Sequence, residues 1–513
     1  MKSAQRLLEY ASSRGLNACF ANPGTSEMHL VAALDAAPGI RPILAIFEGV
    51  ATGAADGYGR IARTPALTLL HLGPGLGNGL ANLHNAKRAR TPIVSLIGDH
   101  ATYHLANDPP LASDIVSIAR PVSCWLRTVG RAEDLVAAGA DAIDAAMAQG
   151  PAALILPADV AWSDGEPTPA ANKRTQEDAP SWRGKVDDAA RSLGAGAVLL
   201  LGGRYLSPRA CAAAEAIAQK TGAKAIVETF PARIARGRGR AALSRLPYLS
   251  EVAAGTLSGV NAIVLAGAAT PVAFFALPGR PTRLAPDDAQ ILPFATPTDD
   301  LDAALEALAE AVGARISQAQ SAGDAPSAPD AGDAIDPVAL ARAVAATLPE
   351  NAIVSDESNT LGLFTFDVCA GAAAHDWLTL TGGSIGQGLP VATGAAVAAP
   401  ERRVVALQAD GSALYTIQSL WTQAREGLNV TNVILNNGAY AILKLEMMRA
   451  GINAQTQAAS DLFDLRRPTI DFVQVAAGFG VPGQRVNTQR DLTQALRRSF
   501  AQPGPSLIEV MFP

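Results

Sequence analysis

The sequence predicts an α/β protein made of three domains, each built on a doubly wound parallel sheet. The chain has 513 residues, and at roughly 150 residues per domain this length fits about three domains. Short apolar runs such as Ala66–Leu70 and Ala197–Leu201 alternate with stretches of helical periodicity, which is typical of repeated strand-helix units. Hydrophobic residues make up 49% of the chain, enough to cover both faces of such sheets with helices.

Polar, proline-rich stretches indicate the domain boundaries. One contains Pro167, Pro169 and Pro180, and a later one is rich in Ala, Ser, Asp and Pro, which is typical of linkers. Asp336 followed by Pro337 predicts a helix start, because Asp caps a first turn and Pro fits its first position. We predict a first domain at 1–160, a linker at 161–185, a central α/β domain at 186–312, a flexible linker at 313–335 and a last domain at 336–513.

Charge and cysteine usage exclude several classes of protein. The formal net charge is −6 and the four cysteines are scattered, so the sequence predicts neither a nucleic-acid-binding surface nor a disulfide framework. No apolar run approaches the ~20 residues of a membrane span. The N-terminal stretch is amphipathic and lacks the apolar core of a signal peptide. We therefore expect a soluble, cytoplasmic protein with no nucleic-acid or membrane partner.

Two polar turns follow consecutive predicted strands of the last domain. Asp410-Gly411-Ser412 follows the strand 402–409, and Asn436-Asn437 follows the strand 430–435. The carboxyl ends of neighbouring parallel strands border one crevice, and Mg²⁺ binds oxygen ligands there together with phosphates. The plainer alternative is a pair of structural turns.

The crevice offers ligands for both a metal ion and an anion. The Asp410 carboxylate, the Asn437 amide oxygen and a main-chain carbonyl near Ala439 supply three oxygens for Mg²⁺. Gly411 and Ser412 open the helix predicted at 412–427, and N–H groups at a helix start bind anions. Together these residues predict a site for a magnesium-bound diphosphate.

A second candidate site lies in the first domain. Glu48 follows the predicted strand 43–46 and opens a helix of small residues that includes Asp56-Gly57-Tyr58. A glutamate at a helix start also stabilises the helix dipole, which is the structural alternative. In an apolar pocket, however, a carboxyl group is shifted towards its protonated form and becomes a proton donor.

Taken together, these motifs resemble those of the thiamin diphosphate enzymes, with most likeness to benzoylformate decarboxylases and the acetohydroxyacid synthase-like branch. Asp410 and Asn437 are 27 positions apart, as in the family motif, although Ala409 replaces its first glycine. The resemblance implies a pyrimidine-binding domain at 1–160, a diphosphate-binding domain at 336–513, and thiamin diphosphate and Mg²⁺ as cofactors. It implies that Glu48 protonates the pyrimidine ring.

The same resemblance implies roles for further residues. In the first domain, Thr25 is expected to contact the substrate carboxylate and His71 to transfer protons. Around the cofactor, the Gly383 carbonyl is expected to bind the 4′-amino group, Ile385 to hold the two rings in a bent conformation, Asn359 and Thr360 to lie beside the diphosphate, and Leu443 to border the substrate.

The predicted activity is non-oxidative decarboxylation of a 2-oxo acid, benzoylformate-like or branched, through an enamine intermediate. An acetolactate synthase-type carboligase and a non-catalytic cofactor-binding partner subunit are the alternatives. The resemblance implies a homodimer at least, and a homotetramer is expected. No FAD is predicted. The sequence leaves open whether His100 or His104 enters the site, and whether the arginines between Arg233 and Arg245 bind a phosphate, contact a subunit or lie in solvent.

Overall fold

The computed structural model describes residues 1–164, 180–317, 323–452 and 456–512. These residues form three sheets of six, five and seven strands. The predicted fold class, α/β with three doubly wound and mostly parallel sheets, is confirmed. The domain boundaries remain predictions, and most of the proposed first linker lies outside the described residues.

The N-terminal sheet is parallel throughout, with the strand order β2-β1-β3-β4-β6-β5. Its strands β3 and β4 are buried along their whole length, as their apolar sequences predict. The elements are α1 (Ser3–Ser13), β1 (Ala18–Ala21), α2 (Met28–Leu34), β2 (Arg41–Leu44), α3 (Glu48–Ala62), β3 (Ala66–Leu70), α4 (Leu72–Ala89), β4 (Ile93–Asp99), α5 (Ile115–Ala119), β5 (Trp125–Thr128), α6 (Leu135–Gln149), β6 (Ala152–Pro157) and α7 (Ala158–Trp162).

The central sheet is also parallel, with the order β10-β8-β7-β11-β12. Its helix α9 follows the expected rules: the Ser207 side chain caps it, Pro208 occupies its first position, and Gly222 ends it at a φ of 78°. The elements of this part of the chain, which include one strand (β9) of the C-terminal sheet, are α8 (Val186–Ser192), β7 (Ala197–Leu201), α9 (Pro208–Thr221), β8 (Lys224–Val227), β9 (Arg233–Arg236), β10 (Ser244–Arg245), α10 (Ser250–Thr256), β11 (Ala262–Ala266), β12 (Gln290–Ala295) and α11 (Leu301–Ala311).

The C-terminal sheet has the order β17-β18-β16-β15-β13-β14-β9. The predicted cap is present, since the Asp336 side chain accepts the N–H of Ala339 at 2.7 Å. The elements are α12 (Pro337–Thr347), β13 (Ala352–Glu357), α13 (Thr365–Val368), β14 (His375–Thr379), α14 (Gly388–Ala398), β15 (Val404–Ala409), α15 (Asp410–Ala413), α16 (Ser419–Glu426), β16 (Val430–Asn436), α17 (Ala441–Arg449), α18 (Gln457–Phe463), α19 (Phe472–Gly478), β17 (Gly483–Val486), α20 (Gln489–Ala501) and β18 (Ser506–Met511).

Strand β9 is the main departure from the predicted topology. It lies within the stretch assigned to the central domain, yet it pairs antiparallel with β14 at the edge of the C-terminal sheet. This pairing ties the two parts of the chain together through backbone hydrogen bonds.

Of the arginines between Arg233 and Arg245, Arg233 and Arg236 are buried, which corrects the expectation of a solvated loop for these two, whereas Arg238 is exposed. Arg233 forms an ion pair with Asp376 at 2.9 Å. Arg236 is 2% exposed and lies over the Phe366 ring at 3.5 Å, and Arg245 covers the same ring at 3.9 Å. These cations hold β9 and β10 against the C-terminal part of the chain.

The described part of the second linker is docked on the C-terminal helix. The Thr493 hydroxyl donates to the carbonyl of Pro329 at 2.8 Å, and Arg490 donates to Asp330 at 3.0 Å. Ile335 is buried. Helix α20 thus supplies partners to residues 323–335, whose assignment as a flexible linker stays a prediction.

One buried ion pair joins all three parts of the chain. Arg60 and Asp56, on α3, form two charge-assisted hydrogen bonds of 2.8 and 2.6 Å, and their side chains are 1% and 0% exposed. The Arg60 guanidinium also donates to the carbonyls of Ala232 and Thr379 and to the Thr381 hydroxyl. It is therefore satisfied by groups from the central and C-terminal parts.

Removing Arg60 should destabilise the folded chain strongly, because Asp56 would remain buried without its counter-charge. We expect the Arg60→Leu variant to lose about 3–5 kcal/mol of unfolding free energy, measured from urea unfolding curves. The control is Arg14→Ala, which breaks the exposed Arg14–Asp144 pair and should cost less than about 1 kcal/mol. Equal losses in the two variants would contradict this role of the pair.

Candidate active site

The C-terminal half of the candidate site forms where β15 and β16 end. The Asp410 carboxylate is 4% exposed and accepts the N–H groups of Asn437 at 3.1 Å and Gly438 at 2.8 Å. The two turns predicted from sequence are thus side by side. Burial raises the pKa of Asp410, while the main-chain N–H groups of Gly411, Gly438, Asn437 and Asp410 itself counteract that shift. A divalent cation would supply the charge that this buried carboxylate lacks.

The two neighbouring asparagines have different surroundings. Asn436 is buried, donates to Glu509 at 2.8 Å and accepts the N–H of Gly438 at 3.0 Å, so it fixes the turn. Asn437 lines the crevice, and its side-chain oxygen accepts the N–H of Ala439 at 3.0 Å. Only Asn437 therefore presents its side chain to the space beside Asp410.

A cleft opens between these turns and the end of β13. Ser358, Asn359 and Thr360 line one side, and Asp410 to Ser412 with Asn437 and Ala439 line another. The Asn359 side chain donates to the Ser412 hydroxyl at 2.9 Å. Asn359 has a φ of 50°, a strained conformation for a residue other than glycine.

The helix predicted at 412–427 differs from the structure. It is divided into α15 and α16, separated by turns, and the Gly411 N–H donates to the Asp410 carboxylate at 2.7 Å. The ring of Tyr440 lies where a side chain on Gly411 would stand. A glycine at this position therefore lets the aromatic ring close over the turn.

In the N-terminal half, Glu48 occupies the first turn of α3, as predicted. It is 7% exposed and accepts a hydrogen bond from the Asn78 amide at 3.0 Å. Asn78 lies on α4, and Gly75 of the same helix leaves space beside the carboxyl group. The two helices thus hold a carboxyl group at the carboxyl edge of the N-terminal sheet.

His71 directly follows β3 and pairs with Glu27, a residue that the sequence analysis did not single out. Its Nδ1 lies 2.9 Å from the Glu27 carboxylate and 3.0 Å from the Ser26 hydroxyl. Glu27 is completely buried, and Leu72, next to His71, has a φ of 53°. A buried carboxylate on one ring nitrogen fixes the orientation of the imidazole.

A local signal for Glu27 was present in the sequence. Glu27 lies three residues after Gly24 and accepts its N–H at 2.9 Å, as in a capping box. Thr25, predicted to contact the substrate, is exposed at this turn. Ser26, rather than Thr25, contacts His71.

The loop after β14 lies between the N-terminal and C-terminal parts. Gly383 and Gly386 have φ values of 76° and 93°, which only glycine adopts easily. Glu357 accepts the N–H groups of Gly386, at 2.6 Å, and Gly388. Burial raises the pKa of Glu357 to about 7. Ile385, half-buried, lies within this loop.

An aromatic cluster borders the same loop from the central part of the chain. Neighbouring rings of Phe230, Tyr248, Phe274 and Phe275 have centroids 5.2 to 6.2 Å apart. The Phe274 ring lies where a side chain on Gly383 would stand. Arg449 borders the cavity beside these rings and pairs with Glu251 and Glu446 at 2.6 Å each.

The structure places the other predicted residues as follows. Leu443 lies on α17 and is 42% exposed. His100 and His104 follow β4, with ring centroids 5.7 Å apart, and Gly98, at the end of that strand, lies against Glu27 and Ser26. His375 is buried in β14, where burial lowers its pKa to about 4.

Within one chain, α3, which Glu48 opens, packs against α14 of the C-terminal part. Gly57 lies against Val391, and Gly394 lies against Ala54. Glu48 is held by Asn78, whereas Asp410 is held by the turn after β16.

The described residues contain no cluster of three or more His, Cys, Asp or Glu side chains that could hold a metal ion. The predicted Mg²⁺ ligands are one carboxylate, one amide and one carbonyl, so they form a different kind of site. No helix in the described ranges combines the length and the apolar character needed to cross a membrane.

Comparisons with known proteins agree with this geometry. The N-terminal TPP binding domain of thiamine pyrophosphate enzymes matches residues 1–117, and the C-terminal TPP binding domain matches residues 366–510. The "Putative acetolactate synthase large subunit IlvX" of Mycobacterium tuberculosis is 52% identical over 100% of this chain and 99% of its own length. Benzoylformate decarboxylase of Pseudomonas aeruginosa is 28% identical over 98% of this chain and 97% of its own length.

A solved structure is similar over the whole chain. The thiamine diphosphate-dependent 4-hydroxybenzoylformate decarboxylase of Rhodococcus jostii RHA1 superposes with a TM-score of 0.84 and 27% sequence identity. The match covers 100% of this chain and 99% of that one.

The stability of the chain should depend on pH through Glu357. Its folded pKa of about 7 lies above the roughly 4.3 of an unfolded glutamate, so the folded state retains the proton between these values. The free energy of unfolding should therefore fall as pH rises from about 4.5 to about 7, by on the order of 3 kcal/mol.

The Glu357→Gln variant isolates this contribution, because glutamine resembles the protonated acid and does not titrate. Urea unfolding of both proteins across this pH range should show that the wild type loses stability relative to the variant as pH rises. A difference that stays constant with pH would contradict the raised pKa.

Proposed function

The chain belongs to the thiamine pyrophosphate enzymes, and from this premise we propose that it catalyses the Mg²⁺-dependent, non-oxidative decarboxylation of a 2-oxo acid with an aromatic or branched side chain. The observation that carries this proposal is the aromatic cluster around Phe274, which lies against the loop residue Gly383. Thiamin diphosphate, when bound, supplies the electron sink that allows the substrate carboxylate to leave as CO₂.

The cleft at Asp410 fits the diphosphate and its metal ion. We assign the Asp410 carboxylate, the Asn437 amide oxygen and the Ala439 carbonyl as Mg²⁺ ligands. Hard oxygen donors and space for phosphate oxygens are what Mg²⁺ requires. Asn359, Thr360, Gly411 and Ser412 line the same cleft and are the proposed diphosphate contacts.

Glu48 is the proposed proton donor to the pyrimidine ring. Its carboxyl group is almost completely buried and has one side-chain partner, Asn78. Gly383 and Ile385 are the proposed contacts of the same ring from the opposite half of the site. In this proposal the Glu48 carboxyl group is the donor that faces the ring nitrogen.

His71 is the proposed acid and base for the reacting substrate. Glu27 holds its Nδ1 at 2.9 Å, which leaves Nε2 as the nitrogen that can exchange a proton with substrate. Thr25, exposed at the adjacent turn, is the proposed contact for the substrate carboxylate. Burial of Glu27 keeps the imidazole from rotating.

The aromatic cluster is the proposed site of the substrate side chain. Tyr248, Phe274 and Phe275 border a small cavity together with Ser250 and Arg449, and their rings offer apolar surface to an aromatic or branched side chain. Arg449 is neutralised by Glu251 and Glu446, so it is not free to attract a second carboxylate. Leu443 adds apolar surface on the side of α17.

A complete site requires two chains in this proposal. Glu48 and Asp410 must both contact one cofactor, so Glu48 of a second copy is expected to face the Asp410 cleft of the first. Large apolar side chains near both halves support this arrangement, since Ile46 and Leu111 are 41% and 42% exposed and Met448 is 63% exposed. The proposed assembly is a homodimer, and pairing of dimers gives the expected homotetramer.

Thiamin diphosphate and Mg²⁺ are the proposed cofactors, and no FAD is proposed. In the central sheet the strand order reverses between β7 and β11, and Gly203 and Gly267, beyond the ends of these strands, pack against Leu301.

Acetolactate-type carboligation is the second candidate. The Mycobacterium tuberculosis relative, 52% identical over the whole chain, favours it by name. Both reactions begin with loss of CO₂ from a 2-oxo acid. They differ in whether the carbon that has lost CO₂ then takes up a proton or forms a bond to a second carbonyl carbon. A non-catalytic subunit is disfavoured because Glu48, Asp410 and Asn437 are all retained.

The products distinguish the two reactions. With thiamin diphosphate and Mg²⁺, we expect benzoylformate to yield benzaldehyde and CO₂, and pyruvate to react more slowly because it leaves the aromatic cluster unfilled. Gas chromatography of both reactions provides the measurement. Formation of acetolactate from pyruvate without free aldehyde would replace the decarboxylase assignment with the carboligase.

The Glu48→Gln variant tests the proposed proton donor. Turnover should fall by about 100-fold or more, the usual contribution of a general acid, while binding of magnesium diphosphate by calorimetry should stay unchanged because the diphosphate cleft lies elsewhere. Glu306→Gln, at an exposed ion pair with Arg209, is the matched control and should retain wild-type turnover. Full activity in Glu48→Gln would show that another group donates the proton.

A further inference from the structure

The loop of residues 381–386, called here the cofactor loop, is held by an asparagine from the N-terminal part of the same chain. The Asn85 amide nitrogen donates to the carbonyl of Ser384 at 2.7 Å, and the Ser384 N–H donates to the Asn85 side-chain oxygen at 3.1 Å. Asn85 is completely buried on α4. One side chain thus pairs with both main-chain groups of one loop residue.

Neighbouring residues of α4 reinforce this contact. The Thr381 hydroxyl donates to the carbonyl of Asn85 at 2.9 Å, His84 Nε2 lies 3.2 Å from the Gly382 carbonyl, and Asn82 donates to the Gly386 carbonyl at 3.3 Å. A side chain on Gly382 would overlap Asn85. Residues of α4 therefore form hydrogen bonds along the whole loop, from Thr381 to Gly386.

The loop needs such an external support because its own side chains provide little. Gly382, Gly383 and Gly386 carry no side chain, and two of them have positive φ values. Glycine has the largest conformational freedom to lose on folding. Without partners, several orientations of these peptide groups would be accessible.

The hydrogen bond to Ser384 fixes the direction of the Gly383 carbonyl. That carbonyl and the Ser384 N–H belong to the same peptide group, which is planar and trans, so they point in opposite directions. Because the Ser384 N–H points at Asn85, the Gly383 carbonyl points away from α4. The second hydrogen bond fixes the following peptide group, which carries the N–H of Ile385.

We propose that Asn85 is a positioning residue that directs the Gly383 carbonyl towards the aminopyrimidine ring of the cofactor. This inference rests on the proposed function, in which Gly383 binds the 4′-amino group. Asn85 acts through Ser384 and does not touch the cofactor. Its loss should therefore weaken recognition of the pyrimidine and leave the diphosphate cleft intact.

Two ligands separate positioning from general structural damage. Thiamin diphosphate uses both the cofactor loop and the cleft at Asp410, whereas magnesium diphosphate uses the cleft alone. The Asn85→Ser variant removes both the oxygen that accepts the Ser384 N–H and the amide that donates to the Ser384 carbonyl. Calorimetry with each ligand in the presence of Mg²⁺ gives the two Kd values.

We expect Asn85→Ser to raise the Kd for thiamin diphosphate by about threefold to tenfold, the effect of losing the hydrogen bond that orients the Gly383 carbonyl. The Kd for magnesium diphosphate should stay within about twofold of the wild type, because loss of hydrogen bonds at the loop does not alter the cleft. Asn85→Ala removes the same two groups and is the second variant, which should show the same selective loss if Asn85→Ser fails to fold.

Asn432→Ser is the matched control. Asn432 is equally buried and exchanges hydrogen bonds with Gln423 on both of its side-chain atoms, but it does not contact the cofactor loop. This variant should lose thermal stability while keeping the wild-type ratio of the two Kd values.

Three results would overturn the proposal. Unchanged binding of thiamin diphosphate in both Asn85 variants would refute the positioning role alone. Equal weakening of both ligands would show that Asn85 is only structural. If the wild type binds magnesium diphosphate but not thiamin diphosphate, the proposed function fails, and the inference fails with it.

Discussion

The buried Asp56–Arg60 pair is the interaction on which the rest of the arrangement depends. Arg60 donates to the Thr379 carbonyl, before the cofactor loop, and to the hydroxyl of Thr381, its first residue, while Asp56 accepts the Gln387 amide at 2.6 Å, just after the loop. Both ends of the loop are thus fixed to one helix. The cost of burying two charges is offset here by bidentate geometry and by main-chain acceptors for the remaining N–H groups.

Helices α3 and α14 approach each other very closely beside this pair. A side chain on Gly57 would overlap the main chain of Val391, and one on Gly394 would overlap the main chain of Ala54. The small residues of α3 are therefore explained by packing as much as by function. Because Glu48 opens the same helix, the position of the proposed proton donor is set by contacts that lie two to three turns away.

The sequence was enough to predict those parts of the site that follow from the order of strands along the chain. Asp410 and Asn437 follow adjacent strands, so the rule that parallel strands end at one edge was enough to bring them together. Glu27 and His71 are 44 positions apart, and no periodicity connects them. The burial of Arg233 and Arg236 was not predictable for a related reason: it depends on Asp376 and Phe366, which lie far away along the chain.

Residues with positive φ occur in both halves of the site. Leu72 and Asn359 have φ values of 53° and 50°, and each such residue costs about 1–3 kcal/mol. Leu72 follows His71 at the start of α4, and Asn359 lines the cleft beside Asp410. Helix α4 begins at the first of these positions and holds the cofactor loop near its other end, so one helix sets the positions of both His71 and the cofactor loop.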